Sequence, residues 1–325
     1  MTYAPIALFT YARVEHTKAA IESLLRNKEA GESDLYIFSD GPKNDKAVEG
    51  VKANREYIHQ IKEQYTSAGS PSLNREGREG SFKSVTIIER NKNWGLANSL
   101  IAGITEVINQ YGRVIVVEDD LILSPYFLQF MNEALEKYKD EERVGTITAY
   151  VPPVKEDLPN TFFLMYFHCW GWATWKRAWD LLETNPKPLL RKLRFKKTKF
   201  DVGGGVGNYG NLYCQKVGLV DSWYVCYYAS LFLKGKLSFY PGHSLSSNNG
   251  LDGTGTHSKS SAKTSYQVMY YNHPINIEDI PIEENEKAYE IFCNHFKDKP
   301  RRLTLSGKLS HFKGFIRRLL YIDCI

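Results

Sequence analysis

With 325 residues, 42% apolar and 24% charged, the chain is long enough for one large α/β domain or two smaller ones and has an ordinary globular composition. A net charge of +5 is too mild to argue for nucleic acid as a partner. Five scattered cysteines with no CxxC pair speak against a zinc site and against a disulfide framework, and fit a reduced, cytoplasmic compartment. Met1 to Phe9 lacks a charged segment followed by a long apolar run, so no signal peptide is expected. No apolar stretch approaches the length of a membrane-crossing helix.

Pro5 to Thr10 is short and apolar, a first strand, with Arg13 in the turn after it. Thr17 to Leu25 has helical spacing at Ala20, Ile21, Leu24 and Leu25. Leu35 to Phe38 is a second strand, ending in Ser39-Asp40-Gly41-Pro42. Val48, Val51, Ile58, Ile61 and Tyr65 recur at helical steps, and residues 67–83 read as a loop. Val85 to Ile88 is a third strand, followed by the Asn91-Lys92-Asn93 turn. Gly95 to Ile108 is a helix with Leu96, Leu100, Ile104, Val107 and Ile108 on one face.

Arg113 to Pro125 is the most informative stretch. Val114 to Val117 read as a strand buried on both faces, and Glu118, Asp119 and Asp120 follow at once. Three adjacent carboxylates repel one another and ask for a cation, most simply a divalent metal carrying a phosphorylated ligand. Ser124-Pro125 is expected to open a helix to Tyr138, as N-cap and first helical residue. Val144 to Ala149 is a further strand. Strand and helix thus alternate through the first 140 residues or so, the pattern of a doubly wound α/β sheet. Ligands of such sheets bind beyond the carboxyl ends of the strands, where Arg13, Asp40, Asn91 and the acid triplet converge.

Beyond residue 150 the alternation is lost. Phe162 to Trp179 is an aromatic block centred on Cys169-Trp170-Gly171-Trp172, suiting either a core or a ligand approached closely at Gly171. Residues 187–199 are dense in Lys and Arg, and Asp201 to Gly210 holds five glycines without a P-loop ending, so a mobile loop is expected there. Asp221 is placed to cap a helix from about Trp223 to Lys234. Ser246 to Ser258 is polar and glycine-rich, suited to closing over a ligand. Leu303 to Ile325 is amphipathic and basic, suiting either an anionic membrane surface or the protein's own core.

Several of these segments together resemble GT-A glycosyltransferases, including glycosyltransferase family 2. Leu8-Phe9-Thr10-Tyr11-Ala12-Arg13 looks like their opening strand and turn, and Ser39-Asp40-Gly41 like their nucleoside-binding Asp. Asn93-Trp94-Gly95-Leu96-Ala97 looks like their Asn-x-Gly-Leu turn, and Glu118-Asp119-Asp120 like their metal-binding acids. The likeness extends to the N-acetylglucosaminyltransferase I type through Trp170-Gly171-Trp172, Asp221-Ser222-Trp223 and the segment from Asp252 to His257. It covers roughly residues 4–258, and departs from that pattern where Ser222 replaces a second Asp.

The resemblance implies a GT-A sheet flanked by helices. Residues 1–150 would form its nucleotide-sugar half and 151–260 its acceptor half, with 261–325 a C-terminal helical extension. It implies an inverting transfer from a nucleotide-diphosphate sugar, a UDP-sugar by family, to a glycan or lipid-linked acceptor at the inner face of a membrane. Thr10, Arg13, Asp40, Asn91 and Asn93 would approach the nucleotide, Asp119 the ribose or sugar, and Glu118 the donor sugar. Asp120 would ligate Mn²⁺ or Mg²⁺, Asp221 would be the catalytic base, and His257 would meet the diphosphate. The competing expectations are a glycan-binding protein that has kept the fold and a sugar nucleotidylyltransferase. The latter needs a glycine-rich basic signature after the first strand, which Thr10 to His16 lacks.

Overall fold

A computed structural model of the chain describes residues 2–65, 80–250 and 266–297. Most of the expected loop at 67–83, the later part of the glycine-rich segment with His257, and the C-terminal amphipathic stretch lie outside the described residues.

The first half follows the periodicity of the sequence. Strands β1 (Ile6–Thr10), β2 (Asp34–Ser39), β3 (Ser84–Glu89) and β4 (Arg113–Glu118) alternate with helices α1 (Val14–Leu25), α2 (Asp45–Tyr65) and α3 (Leu96–Tyr111). The strands are parallel, in the order β3-β2-β1-β4. Their side chains alternate between two cores. Ile6 and Leu8 of β1 and Ile115 and Val117 of β4 pack with Ile21 and Leu24 of α1 and Ile58 and Ile61 of α2. Ala7, Phe9, Val114 and Val116 face the opposite core with Leu100, Ile104 and Val107 of α3. Burial on both faces is why these strands read as continuous apolar runs.

The chain then builds the other half of the same sheet. β5 (Leu121–Leu123) leaves it, and α4 (Phe127–Lys137) leads to β6 (Val144–Thr148), β7 (Thr161–Leu164) and β8 (Trp172–Trp175). Four helices follow: α5 (Lys176–Trp179), α6 (Pro186–Leu193), α7 (Lys197–Phe200) and α8 (Asn208–Lys216). Then come α9 (Trp223–Leu233), β9 (Leu237–Pro241), β10 (Ser246–Asn248) and α10 (Glu286–Lys297). The eight-stranded sheet has the order β3-β2-β1-β4-β8-β6-β9-β7, with β8 antiparallel to β4. It is thus the expected α/β sheet flanked by helices, parallel on one side and mixed on the other. Among the described residues no helix is long and apolar enough to cross a membrane.

Three local expectations are corrected. Ser124 does not cap α4, which starts two residues later than the Pro125 expectation. Its hydroxyl accepts from the Tyr126 N–H at 3.2 Å and donates to the Tyr271 carbonyl at 2.7 Å, tying the helix entry to a distant segment. Gly171, with φ +76°, makes its close approach to the core and not to a ligand: a Cβ there would lie 3.0 Å from the Phe127 ring. Of the glycines after Asp201, Gly203 and Gly205 are packed against α10, while Gly204, Gly207 and Gly210 face open space. A Cβ on Gly205 would come within 2.6 Å of Phe296, so α10 seats directly on that backbone.

Candidate functional site

Register sets the site. Thr10 pairs with Ser39, Ser39 with Glu89, and Phe9 with Glu118, so the turns after all four parallel strands leave the sheet at one edge. The chain moves from β1 outward to β3 and returns to the other side of β1 for β4. The crevice between β1 and β4 is therefore the switch point of the sheet, where ligands of such folds bind. Arg13 stands on one side of it and Glu118 to Asp120 on the other.

The burial of Val114 to Val117, worth about 6–12 kcal/mol gross at ~1.5–3 kcal/mol each, holds the three acids in place against their mutual repulsion. The cation among them is Arg13: its Nη2 pairs with Asp119 and lies 3.2 Å from Asp120 Oδ2. Topology explains this, because β1 is the hydrogen-bonded neighbour of β4. Burial pushes the Asp119 carboxyl up to about 6 against the pull of Arg13. Glu118 is pushed up to about 8, by burial first and then by repulsion from Asp120 and Asp119. Two buried atoms in this cluster have no hydrogen-bond partner, the donor Nη1 of Arg13 and the acceptor Oδ2 of Asp119. A buried orphan pair of this kind suits a polar ligand that satisfies both.

Asp120 is fixed from behind by a ribbon that sequence spacing did not reveal. β5 pairs antiparallel with β10, Leu121 opposite Asn248, and the Asn249 N–H donates to the Asp120 carbonyl at 2.7 Å. Gly250 then passes so near that a Cβ on it would lie 2.6 Å from Asp120 Oδ2. Cys169 approaches from the aromatic block. Burial first, and then the Glu118 charge, lifts the Cys169 thiol well above its ordinary range. Trp172, by contrast, is wholly buried and stacks on Trp223 at 5.3 Å, a core residue.

The second wall is the turn from Asn93 to Gly95. Asp40 organises it: its carboxylate accepts from the N–H groups of Gly41 and Trp94 at 2.9 Å and of Gly95 at 3.0 Å, and from Asn93 Nδ2 at 3.0 Å. Asn93 Nδ2 also donates to the Gly41 carbonyl at 2.8 Å. Both side chains expected at the nucleotide are thus engaged in shaping the turn. Thr10 is engaged as well, its hydroxyl accepting from Asn54 at 3.1 Å inside the core. Asn91 is exposed beside this turn.

Asp221 meets the same turn from the segment just before α9. Its Oδ2 lies 3.3 Å from where a Cβ on Gly95 would sit, so Gly95, with φ +79°, leaves room for the carboxylate. The cap of α9 is not Asp221 but Ser222, whose hydroxyl accepts from the Val225 N–H at 3.4 Å. The structure therefore brings Arg13, Glu118, Asp119 and Asp120 together at the switch point. It brings Asp40, Asn93 and Asp221 together at the neighbouring turn, and buries Thr10. His257 lies outside the described residues.

A metal at this edge would rest on one or two carboxylates only. Among the described residues no group of three or more His, Cys, Asp or Glu side chains is arranged to enclose one. Mn²⁺ or Mg²⁺ would draw one or two oxygens from the chain and the rest from phosphates and water, as Mg²⁺ commonly does. Asp120, with 20% of its side chain exposed, suits that role.

No protein-family model matches the sequence, and no curated protein matches it. Among solved structures, S. aureus TarS is similar over 48% of this chain and 23% of its own length, at 9% identity and a TM-score of 0.31. UDP-glucose pyrophosphorylase complexed with UDP-glucose is similar over 57% of this chain and 81% of its own, at 12% identity and a TM-score of 0.34. Likenesses this distant carry no functional assignment.

Proposed function

We propose that the chain is a GT-A glycosyltransferase that moves a sugar, with inversion, from a nucleotide-diphosphate donor to a hydroxyl of a glycan or lipid-linked acceptor. The observation that supports it is the pairing of Arg13 with Asp119 and Asp120 at the switch point of the sheet, where two buried polar atoms still lack partners. The family resemblance supplies UDP as the nucleotide.

The chain's own residues have distinct tasks in this reading. Arg13 Nη1 donates to an oxygen of the donor, and Asp119 Oδ2 accepts from a ribose or sugar hydroxyl. Asp40 and Asn93 hold the turn that the nucleoside meets, and Asn91 lies at its rim. Glu118, at the end of β4, faces the donor sugar. Asp120 would hold Mn²⁺ or Mg²⁺, and the chemistry such an ion supplies is charge neutralisation at the leaving diphosphate. Asp221, exposed and relieved of capping by Ser222, takes the proton from the acceptor hydroxyl as its oxygen attacks the anomeric carbon.

A thermal-shift screen of nucleotide-sugars with and without Mn²⁺ tests the donor site. A UDP-sugar is expected to raise the unfolding temperature more with Mn²⁺ than without, and Asp120→Ala to abolish both that increment and UDP release. Full UDP release by Asp120→Ala, or by the wild-type protein in excess chelator, overturns the metal assignment. Donor binding without any hydrolysis or transfer would make the protein a glycan- or nucleotide-binding relative instead.

A further inference from the structure

The residues from Lys187 to Lys199 include seven basic side chains and no acid, in a chain whose total net charge is +5, so the remainder is net negative. The fold explains the pattern. Leu189, Leu190 and Leu193 turn the apolar stripe of α6 into the core, and Phe200 of α7 stacks at 4.6 Å on Tyr228 of α9. Everything else on this segment is left outside. Lys199 pairs with Glu284 and Lys197 sits over the Tyr209 ring. Lys187, Arg191, Lys192, Arg194 and Lys196 form no ion pair with any described residue. In their midst Phe195 is 84% exposed, with the Arg194 guanidinium 4.4 Å above its ring.

A solvated basic face needs no phenyl ring in water, and burying a Phe is worth about 1.5–3 kcal/mol, so a ring held out in this way marks a surface that receives it. Two further exposed apolar residues, Tyr213 at 49% and Leu219 at 44%, belong to α8 and the turn after it, packed beside α6 through Leu212 and the same core. Exposed cations around an apolar wedge match the headgroup and upper acyl layers of an anionic bilayer, where Lys and Arg meet phosphate and an aromatic side chain partitions below them.

We infer that the α6–α7 face, with Phe195 at its centre, docks the protein on an anionic phospholipid surface. The docking face and Asp221 lie on neighbouring segments, since α6 packs on α8 and α9 and Asp221 stands between α8 and the Ser222 cap of α9. A sugar acceptor carried on a lipid would then be presented near Asp221. The docking itself does not depend on the glycosyltransferase reading.

Co-sedimentation of the full chain with phosphatidylcholine vesicles, with and without phosphatidylglycerol, tests this. Binding is expected only with the anionic lipid and should fall steeply with added salt. Phe195→Ser is expected to weaken partitioning about tenfold. The combined Arg191→Gln, Lys192→Gln, Arg194→Gln and Lys196→Gln variant is expected to weaken it about a hundredfold or more. All these side chains are exposed, so unfolding midpoints should not change, and Phe195→Ser decides alone if the quadruple variant fails to fold. Nucleotide-sugar thermal shifts are expected to be untouched, which keeps this outcome separate from that of the donor site. Equal binding to neutral vesicles, or wild-type sedimentation by both variants, overturns the inference. So does binding to duplex DNA with none to vesicles.

Discussion

Replacing Asp40 with alanine separates a structural carboxylate from a ligand-reading one. In the fold this side chain is 6% exposed and accepts from three backbone N–H groups and one amide. The Gly41 donor is its own neighbour and can turn to water, and the Asn93 amide keeps the Gly41 carbonyl at 2.8 Å. The N–H groups of Trp94 and Gly95 have no acceptor among the described residues other than Asp40. At about 1.5–3 kcal/mol for each hydrogen bond to a charged acceptor, and allowing for partial rehydration, Asp40→Ala should cost about 3 kcal/mol. Asp40→Asn keeps one acceptor but turns an NH₂ toward two donors, and should cost about 1–2 kcal/mol. Urea unfolding followed by tryptophan fluorescence reads both numbers. If Asp40→Ala unfolds within about 0.5 kcal/mol of the wild type, an ordinary surface effect, while losing nucleotide affinity, the carboxylate serves the ligand and the turn stands without it.

Three further outcomes are expected. Asp221→Ala should leave stability and donor binding near wild type and remove transfer, whereas Ser222→Ala should cost about 1 kcal/mol as a lost helix cap; the reverse pattern in paired unfolding and transfer assays would refute the assignment of the two residues. Gly250→Ala places a carbon 2.6 Å from Asp120 Oδ2, so it should lower UDP release at least as much as it weakens metal-dependent donor binding, and unchanged values for both would refute the clamp. Glu118 has a folded-state value near 8 against an ordinary 4.5, so its contribution is fully present below about pH 4.5 and is lost as pH rises through about 8. Glu118→Gln should therefore flatten the decline in stability across that window, measured by denaturation midpoints of both proteins without metal.

The parallel half of the fold was legible because burial on both faces leaves an unbroken apolar run and each covering helix shows its period. The convergence of Arg13, Asp40 and the acids followed from strand alternation alone. The short strands escaped: β5 and β10 have three residues each, too few to show a period, and β10 is Ser-Ser-Asn, polar throughout. Partnerships escaped too. Nothing local tells whether Asp221 or Ser222 caps α9, since both residue types cap well and only the backbone angles of Ser222 decide. That the acids find a guanidinium in the turn after the adjacent strand follows from strand order, because β4 lies beside β1. Asp40 and Asn93 read from the sequence as facing a ligand, and their bonds within the turn do not show there, because hydrogen bonds to main-chain groups leave no mark in composition.

The β5–β10 ribbon has a consequence for the order in which the molecule is made. The parallel pairing of β1 to β4 draws only on residues before 119, and can begin as they leave the ribosome. The ribbon must wait for Ser246 to Asn248, so Asp120 is without its clamp while the intervening helices are synthesised. A nascent chain therefore carries the nucleotide half before it carries a finished acid site, and closing so long a loop belongs to the slow end of folding. Donor turnover should appear only in nascent chains that have released residues beyond Gly250, well after the first half has become resistant to protease.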